Sequence, residues 1–177
     1  MSIEIHALGK DNLGDINQCD GSFEVTSKLK LQVVGERFSY TVEPVPGYTK
    51  RYPADKVDYD SYIDHADKAV FLAYLDGQVA GQIILRVNWN RFGYIEDLAV
   101  DIRFRRQHVG RRLMEKAIEW AKALGLPGIM LETQNNNVAA CRFYESCGFH
   151  LGGFDRELYR GITPDTDETA LFWYLIF

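Results

Sequence analysis

Residues 94–124 read YIEDLAVDIRFRRQHVGRRLMEKAIEWAKAL and set the architecture, because a strand pattern, a basic turn and a helix pattern follow one another directly. YIEDLAV, residues 94–100, predicts a strand. From Gly110 to Leu124 the apolar residues recur at helical spacing, and the pattern stops at Gly125 and Pro127. The turn at residues 105–110 therefore leads from a strand into the first turn of a helix.

This turn has the properties of an anion-binding site. The first N–H groups of a helix have no partner within the helix, and the helix dipole adds partial positive charge at the same end. Four basic side chains surround the position: Arg105, Arg106, Arg111 and Arg112. The alternative interpretation is that these arginines only decorate a surface turn.

Upstream of the turn, the pattern predicts one strand and two hairpins. Residues 3–7 alternate between apolar and polar and predict a strand, and a short helix or loop follows up to residue 17. Two alternating runs between Lys28 and Val45 flank Gly35-Glu36 and predict a first hairpin. The apolar runs VFLAYL and QVAGQIILRV are joined by Asp76-Gly77, which predicts a second hairpin.

The stretch from Pro46 to Lys68 predicts a long loop with at most one helical turn. Long loops in compact domains are often functional, and this one carries five closely spaced acids: Asp55, Asp58, Asp60, Asp64 and Asp67. The loop is therefore a candidate lining for a cation site. A solvated acidic surface is the alternative.

Downstream of the turn, the pattern predicts a short buried strand, a second helix and two closing strands. These elements are expected at residues 129–133, 138–146, 150–159 and 169–176, with Gly148 ending the second helix. The order of elements predicts an α/β (α+β) fold. Because no linker or internal repeat divides the chain, we expect residues 1–177 to form a single domain.

Composition narrows the classes of partner. The 177 residues carry 20 basic and 25 acidic side chains, and this net charge of -5 attracts neither nucleic acid nor an anionic membrane. A small cationic molecule is the better electrostatic match. The three cysteines form no C-x-x-C pair, and no apolar run approaches the roughly 20 residues of a membrane helix. The sequence therefore predicts a soluble, cytoplasmic protein.

Two motifs carry a resemblance to a known family. R-x-x-H-x-G, Arg105 to Gly110, resembles the pyrophosphate-binding motif of the GNAT N-acetyltransferases, usually Q/R-x-x-G-x-G/A, with His108 at a glycine position. LETQNNNVAACRFYESCGF, residues 131–149, resembles the later GNAT motif of a strand, an asparagine, a helix with a tyrosine, and Gly-Phe. DGSFEVTSKLKL (20–31), WNRFGYIEDLAV (89–100), residues 131–161 and ETALFWYL (168–175) resemble the streptothricin acetyltransferases.

The resemblance implies a fold, a co-substrate and site residues. It implies a mixed central sheet of about six to seven strands, flanked by helices and splayed between the two strands that admit acetyl-CoA. Residues expected to contact acetyl-CoA are Leu98, Ala99, Val100, Arg105, Arg106, Gln107, His108, Val109, Gly110, Arg111, Asn137 and Tyr144. The Tyr144 hydroxyl would lie near the thioester sulfur, and the Val100 N–H would bond the developing oxyanion. The implied walls of the substrate pocket are Trp89, Tyr94, Asp155, Tyr159 and Trp173.

Acetyl transfer to an amine also needs a proton acceptor. Deprotonating an alkyl ammonium at neutral pH costs about 4 to 5 kcal/mol, and a carboxylate can take the proton directly or through water. The candidates are Glu96, Asp97 and Glu132. Because side chains alternate along a strand, we expect Glu96 and Asp97 to face opposite ways. The amine would attack the thioester directly and without a metal.

The resemblance implies that the chain acetylates streptothricin on its beta-lysine moiety and so confers antibiotic resistance. One alternative is a GNAT enzyme that acetylates a protein amino group or another small amine such as a polyamine. An alternative of another class is a non-catalytic acyl-CoA-binding regulatory domain. A covalent relay through Cys141 or Cys147 is disfavoured, because neither cysteine is paired with a histidine in the sequence. The sequence is compatible with a homodimer.

Overall fold

The computed structural model describes residues 2–177 and contains two compact units. Unit 1 comprises residues 2–22 and 51–129, and unit 2 comprises residues 23–50 and 130–177. The strands are β1 (Ile3–Ala7), β2 (Phe23–Val34), β3 (Arg37–Lys50), β4 (Lys68–Leu75), β5 (Gln78–Val87), β6 (Gly93–Val100), β7 (Gly128–Gln134), β8 (His150–Asp155) and β9 (Ala170–Ile176). The α-helices are α1 (Val109–Ala123) and α2 (Val138–Ser146), and 3-10 helices lie at Lys10–Asp15, Tyr59–Tyr62 and Ile102–Phe104.

Unit 1 holds the strand order β1-β4-β5-β6, and each pair of neighbours is antiparallel. The β4–β5 hairpin turns at Asp76 and Gly77, which have φ values of 50° and 76°. Positive φ at both central residues is the geometry of a type I′ turn, whose twist matches that of the flanking strands. The predicted second hairpin is therefore confirmed.

Helix α1 packs against β5 through its first turns. Its buried face consists of Val109, Leu113, Met114, Ala117 and Ala121. A side chain at Gly81 would place its Cβ 2.9 Å from a carbon of Val109, a carbon of Leu113 and the carbonyl oxygen of Ala99. The absence of a side chain at Gly81 is therefore what lets the start of the helix approach the sheet.

Unit 2 holds the strand order β7-β9-β8, helix α2 and the separate β2–β3 hairpin. The hairpin is long, with strands of 12 and 14 residues, and Val25 and Leu29 are its buried anchors. Asn135, directly after β7, binds this hairpin through its carbonyl, which accepts a hydrogen bond from the Leu29 N–H over 2.8 Å. The predicted first hairpin is confirmed and is longer than expected.

Two predicted boundaries are wrong. The loop expected from Pro46 begins only after Lys50, because β3 continues through two prolines. Proline is tolerated on an edge strand, and both strands of a two-stranded sheet are edges. The strand expected to reach Tyr159 ends at Asp155, whose carboxylate accepts the N–H groups of Glu157 and Leu158 at 2.7 and 3.1 Å and turns the chain.

We expect Gly81→Ala to lower the free energy of unfolding by about 1 to 3 kcal/mol, the usual cost of overpacking, because the helix must move away from the sheet. Urea denaturation followed by circular dichroism measures the change. Gly161→Ala is the matched control, because a Cβ at Gly161 meets no atom within 4 Å. Equal stability of the two variants would contradict the packing argument.

Candidate active site

Asp101 organises the turn between β6 and α1. The residue is 2% exposed, and its carboxylate accepts hydrogen bonds from the backbone N–H of Arg103 at 3.0 Å, the Arg103 Nε at 2.9 Å and the Asp20 N–H at 3.1 Å. The hydrogen bonds from the Arg103 side chain lower the pKa of Asp101 to about 2. Asp101 is therefore a carboxylate at neutral pH and ties residue 20 to the turn.

His108 adopts a left-handed backbone conformation, which glycine, the usual residue at this motif position, adopts without strain. Its φ and ψ are 66° and 4°, in the left-handed region, and Arg106 also has a positive φ of 62°. A left-handed conformation costs a non-glycine residue roughly 1 to 2 kcal/mol. The histidine therefore adopts this conformation at an energetic cost, because its φ is positive and not negative as is usual for a residue with a side chain.

The turn presents backbone N–H groups at the start of α1. The first helical hydrogen bond runs from the Arg112 N–H to the His108 carbonyl over 3.0 Å. The N–H groups of Val109 and Gly110 precede this bond and have no acceptor within the helix. The side chains of Arg106 and His108 are exposed beside them. The structure thus places the N–H groups of Val109 and Gly110 and the exposed side chains of Arg106 and His108 around one helix start.

The side chain of Arg105 is engaged with the backbone. Its Nε donates to the Val100 carbonyl over 3.2 Å, and its Nη2 donates to the Ser22 carbonyl over 2.7 Å. Gln107 likewise turns back, because its amide donates to the Arg103 carbonyl over 3.3 Å. To contact a phosphate as predicted, the Arg105 guanidinium would have to give up its hydrogen bonds to the Val100 and Ser22 carbonyls.

The end of β6 presents alternate backbone groups on its two sides. The Asp101 N–H donates to the Ala80 carbonyl over 3.0 Å, so it points toward β5. Because backbone groups of successive strand residues point to opposite sides, the N–H groups of Leu98 and Val100 point away from β5. The Ala99 N–H points toward β5. Of the three predicted backbone contacts, Leu98 and Val100 therefore have the orientation that a ligand alongside β6 requires.

A β-bulge places Glu96 and Asp97 on the same side of the sheet. Asp97 pairs with Ile84 and Ile95 pairs with Leu85, so Glu96 is an extra residue in β6. The prediction that the two carboxylates face opposite ways is wrong, because simple alternation fails at a bulge.

The partners of the two carboxylates agree with this orientation. Glu96 accepts a hydrogen bond from the Arg86 Nε over 2.9 Å, and Asp97 accepts one from the Gln82 amide over 2.6 Å. Arg86 and Gln82 lie four residues apart on β5 and so face the same side. The two acids therefore share one face of unit 1.

Tyr62 holds the second oxygen of Glu96. The Tyr62 hydroxyl donates to the Glu96 Oε2 over 2.5 Å, and the tyrosine is 6% exposed. Burial and this hydrogen bond raise the pKa of Tyr62, so the hydroxyl keeps its proton. Glu96 is thus fixed by one charged and one neutral donor.

Asp97 lies in a more enclosed environment than Glu96. Burial is the main cause of the raised pKa of Asp97, and the hydrogen bond from Gln82 partly opposes it. The Gln82 amide also donates to the Asn17 side chain over 2.9 Å. A desolvated carboxylate with a raised pKa is a better proton acceptor near neutral pH than an ordinary one.

Sequence reasoning missed the residues around these acids. Tyr59 and Tyr62 come from the acidic loop, and their rings lie 5.8 Å apart. Their spacing of three residues within a polar loop could have indicated that the loop packs on the domain, because aromatic side chains in a solvated loop need a surface to pack on. Gln82 and Arg86 were hidden within an apolar strand pattern.

In unit 2, two asparagines position the start of α2. The Asn135 side chain donates to the Leu29 carbonyl over 3.2 Å and accepts the Thr169 N–H over 3.0 Å. Two residues later, the Asn137 Oδ1 caps α2 by accepting the Ala140 N–H over 3.2 Å. The side-chain NH₂ group of Asn137 is therefore the part of this residue that suits a ligand carbonyl.

Tyr144 lies two turns into α2. It is 8% exposed, and its ring contacts those of Phe143 and Phe149 at centroid distances of 5.7 and 5.9 Å. Asn137 and Tyr144 are seven residues apart, so both project from the same side of the segment. A shared role for these two residues stays a prediction.

Glu132 and Tyr159, predicted independently of each other, form a pair. The Tyr159 hydroxyl donates to the Glu132 Oε1 over 2.5 Å, and both residues are half-buried. The structure thus joins a candidate proton acceptor to a candidate wall residue within unit 2.

The other predicted wall residues have different environments. Trp89 is 89% exposed, whereas Trp173 is 1% exposed and packs in the core, out of reach of a substrate on the surface. Tyr94 stacks under the Arg86 guanidinium at 4.7 Å, and the Asp155 carboxylate is used in the turn that ends β8. Trp89 is therefore the wall candidate most open to a ligand.

Three further findings bear on the chemistry. Within residues 2–177, no group of three or more histidine, cysteine, aspartate and glutamate side chains is placed to hold a metal ion. No helix in that part of the chain is both long and apolar enough to cross a membrane. Cys19, Cys141 and Cys147 are free thiols, and burial raises the pKa of Cys141 to about 12, which is unfavourable for a thiolate nucleophile.

Known proteins share both the sequence and the fold. The profile of the acetyltransferase (GNAT) family matches residues 37–149. Streptothricin acetyltransferase A of Bacillus subtilis (strain 168) is 40% identical over 94% of this chain and 95% of its own length.

Two solved structures are similar over nearly the full length. A protein of Bacillus anthracis str. Ames, assigned as a streptothricin acetyltransferase and solved in complex with acetyl coenzyme A, is 46% identical, with a TM-score of 0.92 over 100% of this chain and 98% of its own. A nourseothricin acetyltransferase is 31% identical, with a TM-score of 0.83 over 99% of both chains. These similarities confirm the predicted mixed α/β fold class.

Proposed function

The chain belongs to the GNAT family of acetyltransferases, and on this premise we propose that it transfers the acetyl group of acetyl-CoA to an amino group of streptothricin. The observation that carries the proposal is the 46% identity, over the whole chain, to a relative that holds acetyl-CoA. Acetylation would replace the positive charge of an amine on the beta-lysine moiety with a neutral amide. The antibiotic would thereby lose a cationic contact and its activity.

The donor is held at two places in the proposal. The diphosphate lies at the start of α1, where the N–H groups of Val109 and Gly110 and the helix dipole favour negative charge. In unit 1, the outward N–H groups of Leu98 and Val100 are the proposed hydrogen-bond donors to the pantetheine arm. In unit 2, the NH₂ group of Asn137 is the proposed donor. The left-handed conformation at His108 supports this arrangement, because glycine, the usual residue at this motif position, is the residue that adopts it most readily.

The acceptor amine is deprotonated by a carboxylate before it attacks. Among Glu96, Asp97 and Glu132, we favour Asp97 as the proton acceptor, because burial raises its pKa, whereas both oxygens of Glu96 already accept hydrogen bonds. Glu96 then serves as fixed negative charge beside a cationic substrate. Glu132 is held by Tyr159 and is the remaining alternative.

Bond exchange at the thioester completes the reaction. The neutral amine attacks the carbonyl carbon, the Val100 N–H stabilises the oxyanion, and the carbon–sulfur bond breaks as the carbonyl re-forms. The Tyr144 hydroxyl gives its proton to the departing thiolate of CoA. The proton that the nitrogen loses as the amide forms then returns the Tyr144 phenolate to its neutral form. In this proposal residues 1–177 form one N-acetyltransferase domain, which works in the cytoplasm, a reducing compartment that suits its three free thiols.

We expect the purified protein to add one acetyl group to streptothricin in the presence of acetyl-CoA, as measured by mass spectrometry of the antibiotic and by release of free CoA thiol. Spermidine and a lysine-containing peptide, tested in parallel, should be acetylated much more slowly. Turnover of the peptide alone would contradict the choice of substrate. Acetyl-CoA binding without turnover of any amine would indicate a regulatory domain instead.

Tyr144→Phe is the informative variant in this assay. It removes the hydroxyl and keeps the ring packed against Phe143 and Phe149, so we expect kcat to fall by about 10²- to 10⁴-fold with unchanged acetyl-CoA binding. Tyr40→Phe is the matched control, because its hydroxyl bonds Glu145 and takes no part in the proposed chemistry.

The two carboxylates of β6 can be separated by their pH profiles. If Asp97 accepts the proton, kcat of the wild type falls as the pH drops through its raised pKa, because the protonated acid cannot take a second proton. Asp97→Asn keeps a hydrogen-bond acceptor for Gln82. This variant should lower kcat by about 10²- to 10⁴-fold and abolish the fall of kcat at low pH. Glu96→Gln should retain the fall of kcat at low pH and mainly raise KM for streptothricin.

The reverse pattern would assign the proton transfer to Glu96. If both variants keep the fall of kcat at low pH and Glu132→Gln loses it, the proton transfer belongs to Glu132.

A further inference from the structure

We propose that Arg105 is a positioning residue that fixes the backbone around Val100, and that its guanidinium does not bind the diphosphate. This inference rests on the proposed function and deepens it. It concerns the first residue of the R-x-x-H-x-G motif, where sequence reasoning predicted a phosphate contact. The structure directs this side chain to two backbone carbonyls.

The Arg105 guanidinium uses two of its nitrogens to bind two backbone carbonyls. The Arg105 Nε donates to the Val100 carbonyl over 3.2 Å, and the Nη2 donates to the Ser22 carbonyl over 2.7 Å. Both are charge-assisted hydrogen bonds, which are stronger than those between neutral groups. The planar fork lets one side chain hold two acceptors in a fixed relation, which the single ammonium of a lysine cannot reproduce.

The Ser22 carbonyl is itself anchored. The Ser22 N–H donates to the Asp20 carboxylate over 3.0 Å, and the Asp20 N–H donates to the Asp101 carboxylate over 3.1 Å. The Ile102 N–H donates to the Asp20 carbonyl over 3.1 Å. Residues 20–22 are therefore bound to the turn after β6, and Arg105 connects this segment to the end of the strand.

The peptide unit between Val100 and Asp101 is held at both of its ends. Its carbonyl accepts the hydrogen bond from Arg105, and its N–H donates to the Ala80 carbonyl over 3.0 Å. Fixing this plane restricts ψ at Val100 and so the direction of the Val100 N–H on the preceding peptide unit. That N–H is the proposed oxyanion donor. A donor stabilises an oxyanion only when it points at the position that the oxyanion occupies.

The role differs from phosphate binding in a measurable way. A phosphate ligand matters only when the donor carries a diphosphate, whereas a residue that orients the Val100 N–H matters for any acetyl thioester. S-acetylpantetheine has the thioester and the pantetheine arm of acetyl-CoA and lacks the diphosphate. The two donors therefore separate the two roles.

The experiment compares Arg105→Ala, Arg105→Lys and the control Arg106→Ala, each with acetyl-CoA and with S-acetylpantetheine as donor and streptothricin as acceptor. We expect Arg105→Ala to lower kcat by about 10²-fold with both donors, and Arg105→Lys to behave similarly. Arg106→Ala should weaken only the reaction with acetyl-CoA. A loss for Arg105→Ala confined to acetyl-CoA, or no loss with either donor, would overturn the proposal.

Amide hydrogen exchange of the free protein gives a readout that needs no substrate. The Asp101 amide should exchange about tenfold faster in Arg105→Ala and at the wild-type rate in Arg106→Ala, while the Leu113 amide in α1 stays unchanged in both. Unchanged exchange at Asp101 would overturn the proposal. If the wild type acetylates no amine, the proposed function fails, and the exchange at Asp101 still decides the role of Arg105.

Discussion

The start of α1 lies directly against the backbone of β5, and this close approach is possible because residue 81 has no side chain. The contact fixes where the helix begins and hence where its first N–H groups point. A turn that connects a strand to such a helix has little freedom, and here it is further tied by the Asp101 carboxylate to Arg103 and Asp20. Because a histidine completes this turn, its left-handed conformation destabilises the turn relative to a glycine.

The same strand supplies the other half of the chemistry in unit 1. The bulge at Glu96 turns two consecutive acids to one face, so that a fixed, doubly bonded carboxylate and a desolvated one lie side by side. Two carboxylates in different environments can divide the work of attracting a cation and accepting its proton. Unit 2 contributes its own set, Asn137 and Tyr144 on one side of the α2 segment and Glu132 paired with Tyr159.

Much of this arrangement could be predicted from local patterns. The helical spacing before Gly125, the Asp76-Gly77 turn and the asparagine before α2 each have a local physical cause, and all three elements are found where they were expected. The R-x-x-H-x-G turn was placed correctly for the same reason. Its neighbours in sequence determine that a strand ends and a helix begins there.

The features that local patterns do not reveal have non-local causes. Strand alternation could not reveal the bulge at Glu96, because a bulge depends on the pairing register with β5. The sequence could not assign Arg105 to the Val100 carbonyl, because the second acceptor at Ser22 is 83 residues away along the chain. Trp173 was proposed as a pocket wall, and its burial in the core depends on the packing of the whole fold.

The most direct test of the account is a crystal structure of this protein with acetyl-CoA bound. The account predicts diphosphate oxygens about 3 Å from the N–H groups of Val109 and Gly110, with His108 still in the left-handed conformation. A coenzyme whose diphosphate lies away from the start of α1 would contradict it.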